Sequence, residues 1–196
     1  MSEQIALFPL NTLLLPGGKT KLRVFEPRYI RLVKEASSGK RAFAMALLNP
    51  LVSQQHHDRI FTTATKVQVE DFDVLSDGLL GIEISGQQRV RILERWQEND
   101  GLHVASIVEE PFWSSTPMPD EKSPLLNRFR QLLDSEPMLA ELYPNPRLDD
   151  STWLAARWLE LLPLPAQLKQ QLCCSDGPEA CLDYLSSCLR SEHSAH

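Results

Sequence analysis

The amino-acid sequence predicts an α+β protein with a bent, antiparallel, β-barrel-like amino-terminal lobe and an α-helical carboxy-terminal lobe. Up to about residue 108 the chain contains short apolar runs separated by turns, and apolar and polar residues alternate with a period of two over 20–25 and from residue 62 onward. Proline and small polar residues are frequent over 111–124, and beyond them apolar residues recur at helical spacing. Many short strands with glycine turns favour a sheet that bends into a small barrel.

The first part of the chain predicts short strands interrupted by one helix. Pro16, Gly17 and Gly18 mark a turn. Pro27 suits the first turn of a helix, where its missing N–H leaves no bond unmade. The predicted elements are strands over 5–10, 12–15 and 20–25, a helix over 27–37, a strand over 41–48 and an exposed loop over 51–60.

The region from 62 to 108 predicts the main antiparallel part of the sheet. Turns are expected at Gly78 and Gly101, and a bend is expected at Gly86. The predicted strands cover 62–74, 80–84, 88–96 and 102–108.

The carboxy-terminal lobe is predicted to consist of short helices broken by prolines. Asp150 or Ser151 can cap one of them through a side-chain oxygen. The predicted helices cover 125–136, 138–143, 151–162, 166–173 and 179–190. The domain prediction is a β-rich lobe over 1–112, a proline-rich connection over 113–124 and a helical lobe over 125–190.

The composition is that of a folded globular chain, with 42% hydrophobic and 23% charged residues. No basic leader precedes the first apolar run, and no uncharged apolar stretch reaches the roughly 20 residues of a membrane span. We therefore expect a cytoplasmic protein without a membrane segment. The four cysteines are expected to be reduced and to be buried as small apolar side chains, at Cys173, Cys174, Cys181 and Cys188.

Charge is distributed unevenly along the chain. The net charge is −6, yet the segment 19–41 contains eight lysines and arginines and only two acidic residues, Glu26 and Glu35. A polyanion responds to the field of the whole molecule, so an acidic protein is a poor general nucleic-acid binder. A local nucleic-acid or nucleotide site on this segment stays open as an alternative.

One run of residues resembles the opening of the Lon protease amino-terminal domain family. The residues that carry the resemblance are Phe8, Pro9, Leu10, Pro16, Gly17, Phe25, Glu26, Pro27, Arg28 and Tyr29. It implies a PUA-like β lobe followed by a helical lobe, without the ATPase and peptidase parts of the protease. These residues are expected to be structural, with Glu26 capping the helix near its positive end. Residues 60–67 depart from the family pattern, which leaves strand pairing there open.

The sequence has no recognisable catalytic, metal or cofactor motif, so we expect no enzyme activity, no metal and no cofactor. Gly18-Lys19-Thr20 is not a P-loop ending, because Leu13 stands where the motif requires glycine. No nucleophile elbow, His-Glu-x-x-His helix or Cys-x-x-Cys pair occurs. His56 and His57 are expected to lie on a solvated loop with their rings pointing apart, since neighbouring side chains of an extended chain do so.

Three apolar residues in the proline-rich connection are the candidate peptide-binding residues: Phe112, Trp113 and Met118. Clefts lined by aromatic side chains are common ligand sites. The alternative is that these side chains only pack the lobes together, because large apolar side chains are usually buried.

The resemblance implies a non-catalytic module that binds unfolded or extended polypeptide segments, or a dedicated protein partner. The alternative is a nucleic-acid or nucleotide adaptor that uses the basic segment 19–41. An enzyme of unrecognised type is a third hypothesis. The sequence predicts no oligomeric state.

Overall fold

The computed structural model describes residues 3–54 and 56–193, and within them the chain forms a six-stranded sheet and six α-helices. The α+β prediction is confirmed. The chain divides into two compact units, Met1–Phe112 and Trp113–His196. We refer to them as the β unit and the helical unit.

The β unit contains all six strands and one helix. Its elements are β1 (Glu3–Leu10), β2 (Lys19–Val24), α1 (Pro27–Ser37), β3 (Phe43–Leu48), a 3₁₀ turn (His57–Arg59), β4 (Ile60–Val74), β5 (Leu80–Gln97) and β6 (His103–Glu109). Two details differ from the sequence prediction. Residues 12–15 are not a strand, although their leucines are buried, and the two strands expected over 80–96 are one long strand.

Five of the strands close into a ring. The sheet order is β2-β5-β4-β3-β1-β6, and a further pairing of β5 with β6 closes it, while β2 pairs with the first part of β5. Strands β1 and β3 are parallel, because β2 and α1 form a crossover between them; the other pairs are antiparallel. Strand β4 pairs with both β3 and β5, so the segment 60–67 is a full member of the ring.

A close backbone approach holds the bend of β5. Gly17 N–H donates to Gly86 O and Gly86 N–H donates to Gly18 O, each at 2.8 Å. A Cβ atom at Gly86 would lie 2.2 Å from the carbonyl oxygen of Leu15, so only glycine fits there. Gly17 has φ 77, a conformation that favours glycine. The turn of the family motif is thus fixed against the sheet.

Two cores stabilise the β unit, one on each face of β1. The first lies on the side of α1 and includes Ala6, Phe8, Tyr29, Leu32, Val33, Phe43 and Ile84. The second includes Ile5, Leu7, Ala44, Ala46, Ile60, Ala64, Val90, Ala105 and Ile107. All five ring strands contribute to the second core, so it fills the inside of the barrel. Small alanine side chains suit the narrow interior of a barrel with few strands.

The helical unit consists of a 3₁₀ turn and five short helices: Asp120–Lys122, α2 (Ser123–Ser135), α3 (Pro137–Leu142), α4 (Ser151–Leu161), α5 (Ala166–Cys173) and α6 (Glu179–His193). Helix α4 is buried over most of its length. Asp150 is its cap, because Oδ1 accepts hydrogen bonds from the N–H groups of Thr152 (2.9 Å) and Trp153 (3.3 Å).

The core of the helical unit is aromatic. The ring of Phe129 meets Trp153 and Trp158 edge to face, with centroids 5.6 and 5.2 Å apart, and Tyr143 meets Trp153 at 5.3 Å. Arg157 lies fully buried beside this cluster.

The charge of Arg157 is matched inside the core. Its Nε and Nη2 atoms donate to the two carboxylate oxygens of Glu160 at 2.7 and 2.8 Å. Its guanidinium also lies 5.6 Å from the ring centre of Trp153. A buried arginine is stable here because a bidentate carboxylate compensates its desolvation.

The cysteines are all free of disulfides in the described part of the chain. Cys173 and Cys181 are buried as expected, and burial raises the pKa of Cys181 to about 12. The expectation of burial is wrong for Cys174, directly after α5, and for Cys188 on α6, which are both exposed. Among residues 3–54 and 56–193, none of the helices combines the length and the apolar character that a membrane span requires.

Candidate functional site

A cavity of about 810 Å³ opens at one end of the barrel. Strands β1, β3 and β5 end there, and β4 and β6 begin there. We call this cavity the groove. Its lining residues are Phe8, Pro9, Leu10, Arg23, Val24, Phe25, Glu26, Arg28, Tyr29, Leu48, Gln54, His56, His57, Arg59, Ile60, Arg95, Trp96, Gln97 and His103.

The apolar part of the groove has a fixed floor and exposed aromatic edges. Phe8 and Tyr29 are buried, and their rings stack with centroids 4.1 Å apart. Phe25 is 65% exposed and Trp96 is 39% exposed. Folding leaves these two aromatic surfaces in water, so they can be buried by a ligand.

Seven of the ten family-motif residues line the groove; Pro16, Gly17 and Pro27 do not. Several of the motif residues fix the start of α1. Pro27 begins α1 directly after Glu26, and the N–H groups of Tyr29 and Ile30 bond to the backbone carbonyl of Glu26 at 3.0 Å. The expected side-chain cap is absent, because the Glu26 carboxylate instead accepts a hydrogen bond from Arg28.

Arg28 ties the start of α1 to the turn before β6. Its Nη2 donates to Glu26 at 2.6 Å and its Nη1 donates to the carbonyl of Gly101 at 3.0 Å. Its guanidinium lies 4.9 Å from the ring centre of Tyr29. Arg28 Nε and His103 Nδ1 are both buried without a hydrogen-bond partner.

Within the part of the chain that the structure describes, the hydrogen bonds of two further groove arginines go to backbone carbonyl groups. Arg59 Nη1 donates to the carbonyl oxygens of Asn49 (2.7 Å) and Val52 (3.2 Å). Arg95 Nη2 donates to the carbonyl oxygen of His57 at 2.6 Å. Partial burial lowers the pKa of Arg95, and the charge of Asp58 partly offsets this effect. Both side chains remain cations at physiological pH.

His56, His57 and Asp58 form a cluster at the edge of the groove. The expectation that the two rings point apart is wrong, because the chain turns at residue 57 and the rings stack at 4.5 Å. Metal-binding atoms of the three side chains lie within 4.8 Å of one another. All three are exposed, and internal contacts already engage them: Asp58 N–H donates to His56 Nδ1, and Asp58 Oδ1 lies 2.9 Å from His57 Nε2.

His103 brings a third histidine to the groove. Desolvation, with smaller contributions from Arg95 and Arg28, lowers the pKa of His103. The neutral imidazole therefore predominates near pH 7. Its Nε2 lies 3.1 Å from Gln97 Nε2.

Most arginines of the basic segment 19–41 are paired with carboxylates. Arg31 contacts Glu35, Glu98 and Asp100, and Arg41 contacts Glu98 at 2.7 Å. The other ion pairs of the segment are Lys19–Glu83, Arg23–Asp77 and Arg28–Glu26. Much of the positive charge that the sequence shows is therefore neutralised within the fold.

The three predicted peptide-binding residues have different environments, and none of them lines the groove. Phe112 is half-buried, with the guanidinium of Arg89 at 5.9 Å from its ring centre. Trp113 is 7% exposed, and its indole N–H donates to the carbonyl of Ser175 at 2.8 Å. Met118 is half-buried, and its N–H donates to Asp149 O.

Sequence reasoning missed the groove residues Arg59, Arg95 and Trp96, and it gave Phe25 only a structural role in the family motif. One signal was available for Phe25. It follows Lys21 and Arg23 on the polar face of the strand over 20–25, where an aromatic residue is out of place unless it has a partner.

The comparisons with known proteins agree with this fold. The family model of the ATP-dependent protease La (LON) substrate-binding domain matches residues 4–190. A search of curated protein sequences gives no significant match.

Solved structures extend the comparison. The chain is similar to a Lon N-terminal domain protein from Xanthomonas campestris at 30% identity, covering 94% of this chain and 98% of that chain, with a TM-score of 0.70. The N-terminal domain of the Lon protease from the Mycobacterium avium complex shares the fold at 16% identity, 93% and 96% coverage and a TM-score of 0.61. The chain therefore belongs to the substrate-binding domain family of the ATP-dependent protease La (LON).

Proposed function

We propose that this chain is a non-catalytic module that binds extended or unfolded polypeptide segments, and that the groove is where it holds them. Family membership supports a substrate-recognition role. The observation that carries the proposal is the pair of exposed aromatic side chains, Phe25 and Trp96, on a cavity lined by the family motif. Its volume lies in the range of sites that hold small ligands or short chain segments.

The alternative of a nucleic-acid adaptor on the basic segment 19–41 has less support. Five of its eight cations form ion pairs with carboxylates of the same unit: Lys19, Arg23, Arg28, Arg31 and Arg41. Binding to phosphates would have to compete with these pairs, and the net charge of −6 opposes the approach of a polyanion.

Fluorescence anisotropy tests the proposal directly. A labelled, permanently unfolded polypeptide is titrated with the protein, beside a folded protein and a labelled RNA. We expect selective binding of the unfolded chain. Phe25→Ala should weaken it about five- to tenfold, because buried aromatic anchors often carry more than about 1 kcal/mol of binding energy.

Matched variants locate the binding surface. Phe72→Ala removes an equally exposed aromatic side chain, 62% exposed, that does not line the groove, and it should leave affinity unchanged. Phe112→Ala and Met118→Ala test the surface predicted from the sequence. A loss of affinity in those two variants, with Phe25→Ala unaffected, would move the site away from the groove. Binding of RNA alone would favour the adaptor, and binding of neither would point to a dedicated protein partner.

A further inference from the structure

The charged side chains of the groove are unbalanced. Among the lining residues are four arginines and one carboxylate, that of Glu26. Glu26 pairs with Arg28, and Arg23 pairs with Asp77. Arg59 and Arg95 form no ion pair among the described residues, and Asp58 at the edge of the groove acts on Arg95 only from beyond ion-pair distance.

The positive charge of a half-buried arginine is incompletely compensated when no carboxylate contacts it. Backbone carbonyl groups replace part of the water that Arg59 and Arg95 lose, but they carry no full negative charge. A ligand carboxylate would supply that charge at a place where water is already partly excluded, and hydrogen bonds between ions are stronger there than in bulk water.

We propose that the groove selects acidic polypeptide segments, in which one or two Asp or Glu side chains lie beside an apolar or aromatic one. This inference rests on the proposed function. The carboxylates meet Arg59 and Arg95, and the apolar side chain packs against Phe25 or Trp96. The pairing of two cations with two exposed aromatic surfaces in one cavity defines this specificity.

A single-stranded nucleic acid also offers negative charges and flat apolar surfaces. Two observations favour a polypeptide. The net charge of −6 repels a long polyanion but acts weakly on a segment with one or two charges. The family, moreover, is that of a substrate-binding domain of a protease, and proteases act on polypeptides.

The test compares three labelled peptides of equal length with the full chain at low salt. One peptide places Asp and Glu around a central Phe, the second replaces them by Asn and Gln, and the third by Lys. The acidic peptide should bind about tenfold more tightly than the amide peptide, because a charged hydrogen bond is worth about that factor. The lysine peptide should bind most weakly, and added salt should reduce the differences.

Variants of one arginine assign the preference to the groove. Arg95→Gln should reduce the ratio of acidic-peptide to amide-peptide affinity several-fold. Arg130→Gln is the matched control, because it removes the same charge from an exposed position of α2. Arg95 also donates a hydrogen bond to the carbonyl of His57, so Arg95→Gln could act through the loop as well as through the lost charge. Arg95→Glu distinguishes the two effects, because it loses the same hydrogen bond but reverses the charge. That variant should bind the lysine peptide more tightly than the unmodified protein does.

The outcomes separate this inference from the proposed function. Equal affinity for the acidic and amide peptides overturns the acid preference and leaves polypeptide binding intact. Failure of all three peptides to bind, together with failure of the unfolded polypeptide, overturns both. Tighter binding of an RNA oligonucleotide that carries the same number of charges assigns the groove to phosphate and overturns the preference.

Discussion

Aromatic side chains are used differently in the two units. In the helical unit, Phe129, Tyr143, Trp153 and Trp158 are at most 8% exposed and contact one another. In the β unit, Phe8, Tyr29 and Phe43 are also buried, but Phe25, Phe72 and Trp96 are at least 39% exposed.

The difference separates stability from binding. Aromatic surface that is buried during folding contributes to the free energy of unfolding, whereas aromatic surface left in water contributes only when a ligand covers it. The cores of the β unit are aliphatic and alanine-rich except for Phe8, Tyr29 and Phe43, and its exposed rings lie outside both cores, so they are free for recognition. Substitution of the buried rings of the helical unit should therefore lower stability, and substitution of the exposed rings of the groove should lower affinity.

The largest expected effect is that of Phe129→Ala. Phe129 is fully buried between two tryptophans, so its removal leaves a cavity and costs about 3–5 kcal/mol of unfolding free energy. Urea unfolding followed by tryptophan fluorescence measures this loss. A loss below about 1 kcal/mol would contradict the view of this cluster as a stability core.

The second effect concerns the buried ion pair of the helical unit. Glu160→Gln removes the carboxylate that pairs with the buried Arg157 and should cost about 3 kcal/mol, since the amide oxygen still accepts one hydrogen bond. The control is Asp134→Asn, at an exposed position of α2, which should change stability by less than about 0.5 kcal/mol.

A smaller effect is expected for Glu98 in the β unit. Hydrogen bonds from Arg41, and then from Arg31, lower the pKa of Glu98. Glu98 therefore stabilises the fold above the unfolded-state pKa, and this contribution is lost as the pH falls through the lower, folded-state value. Glu98→Gln should cost about 1 kcal/mol at pH 7 and should flatten the loss of stability below about pH 5.

The control for this prediction is Glu94, which lies on β5 four residues before Glu98. Glu94 is exposed and forms no ion pair within the part of the chain that the structure describes. Glu94→Gln should therefore leave the pH profile of thermal unfolding unchanged. Equal profiles for the two variants would mean that the Glu98 network contributes nothing measurable.

Local patterns predicted the elements better than the contacts between them. Period-two alternation placed the long strands, and Pro27 placed the start of α1. The parallel pairing of β1 with β3 was not predictable, because it depends on residues far apart in the sequence. The exposure of Trp96 was not predictable for another reason. A register shift after Ile92 reverses the faces of β5, and alternation counted from Val90 places Trp96 on the buried side.

The smallest expected change in stability is that of Phe25→Ala. Phe25 is already 65% exposed, so its truncation removes little buried surface and should alter the unfolding free energy by less than about 0.5 kcal/mol. Phe72→Ala should change the unfolding free energy equally little, and only Phe25→Ala should lower polypeptide affinity. A destabilisation above about 1 kcal/mol would make Phe25 part of the fold's own packing. In that case the ring of Phe25 could no longer be assigned to ligand recognition. The proposed separation between buried rings that stabilise the fold and exposed rings that bind ligand would then not hold for the groove.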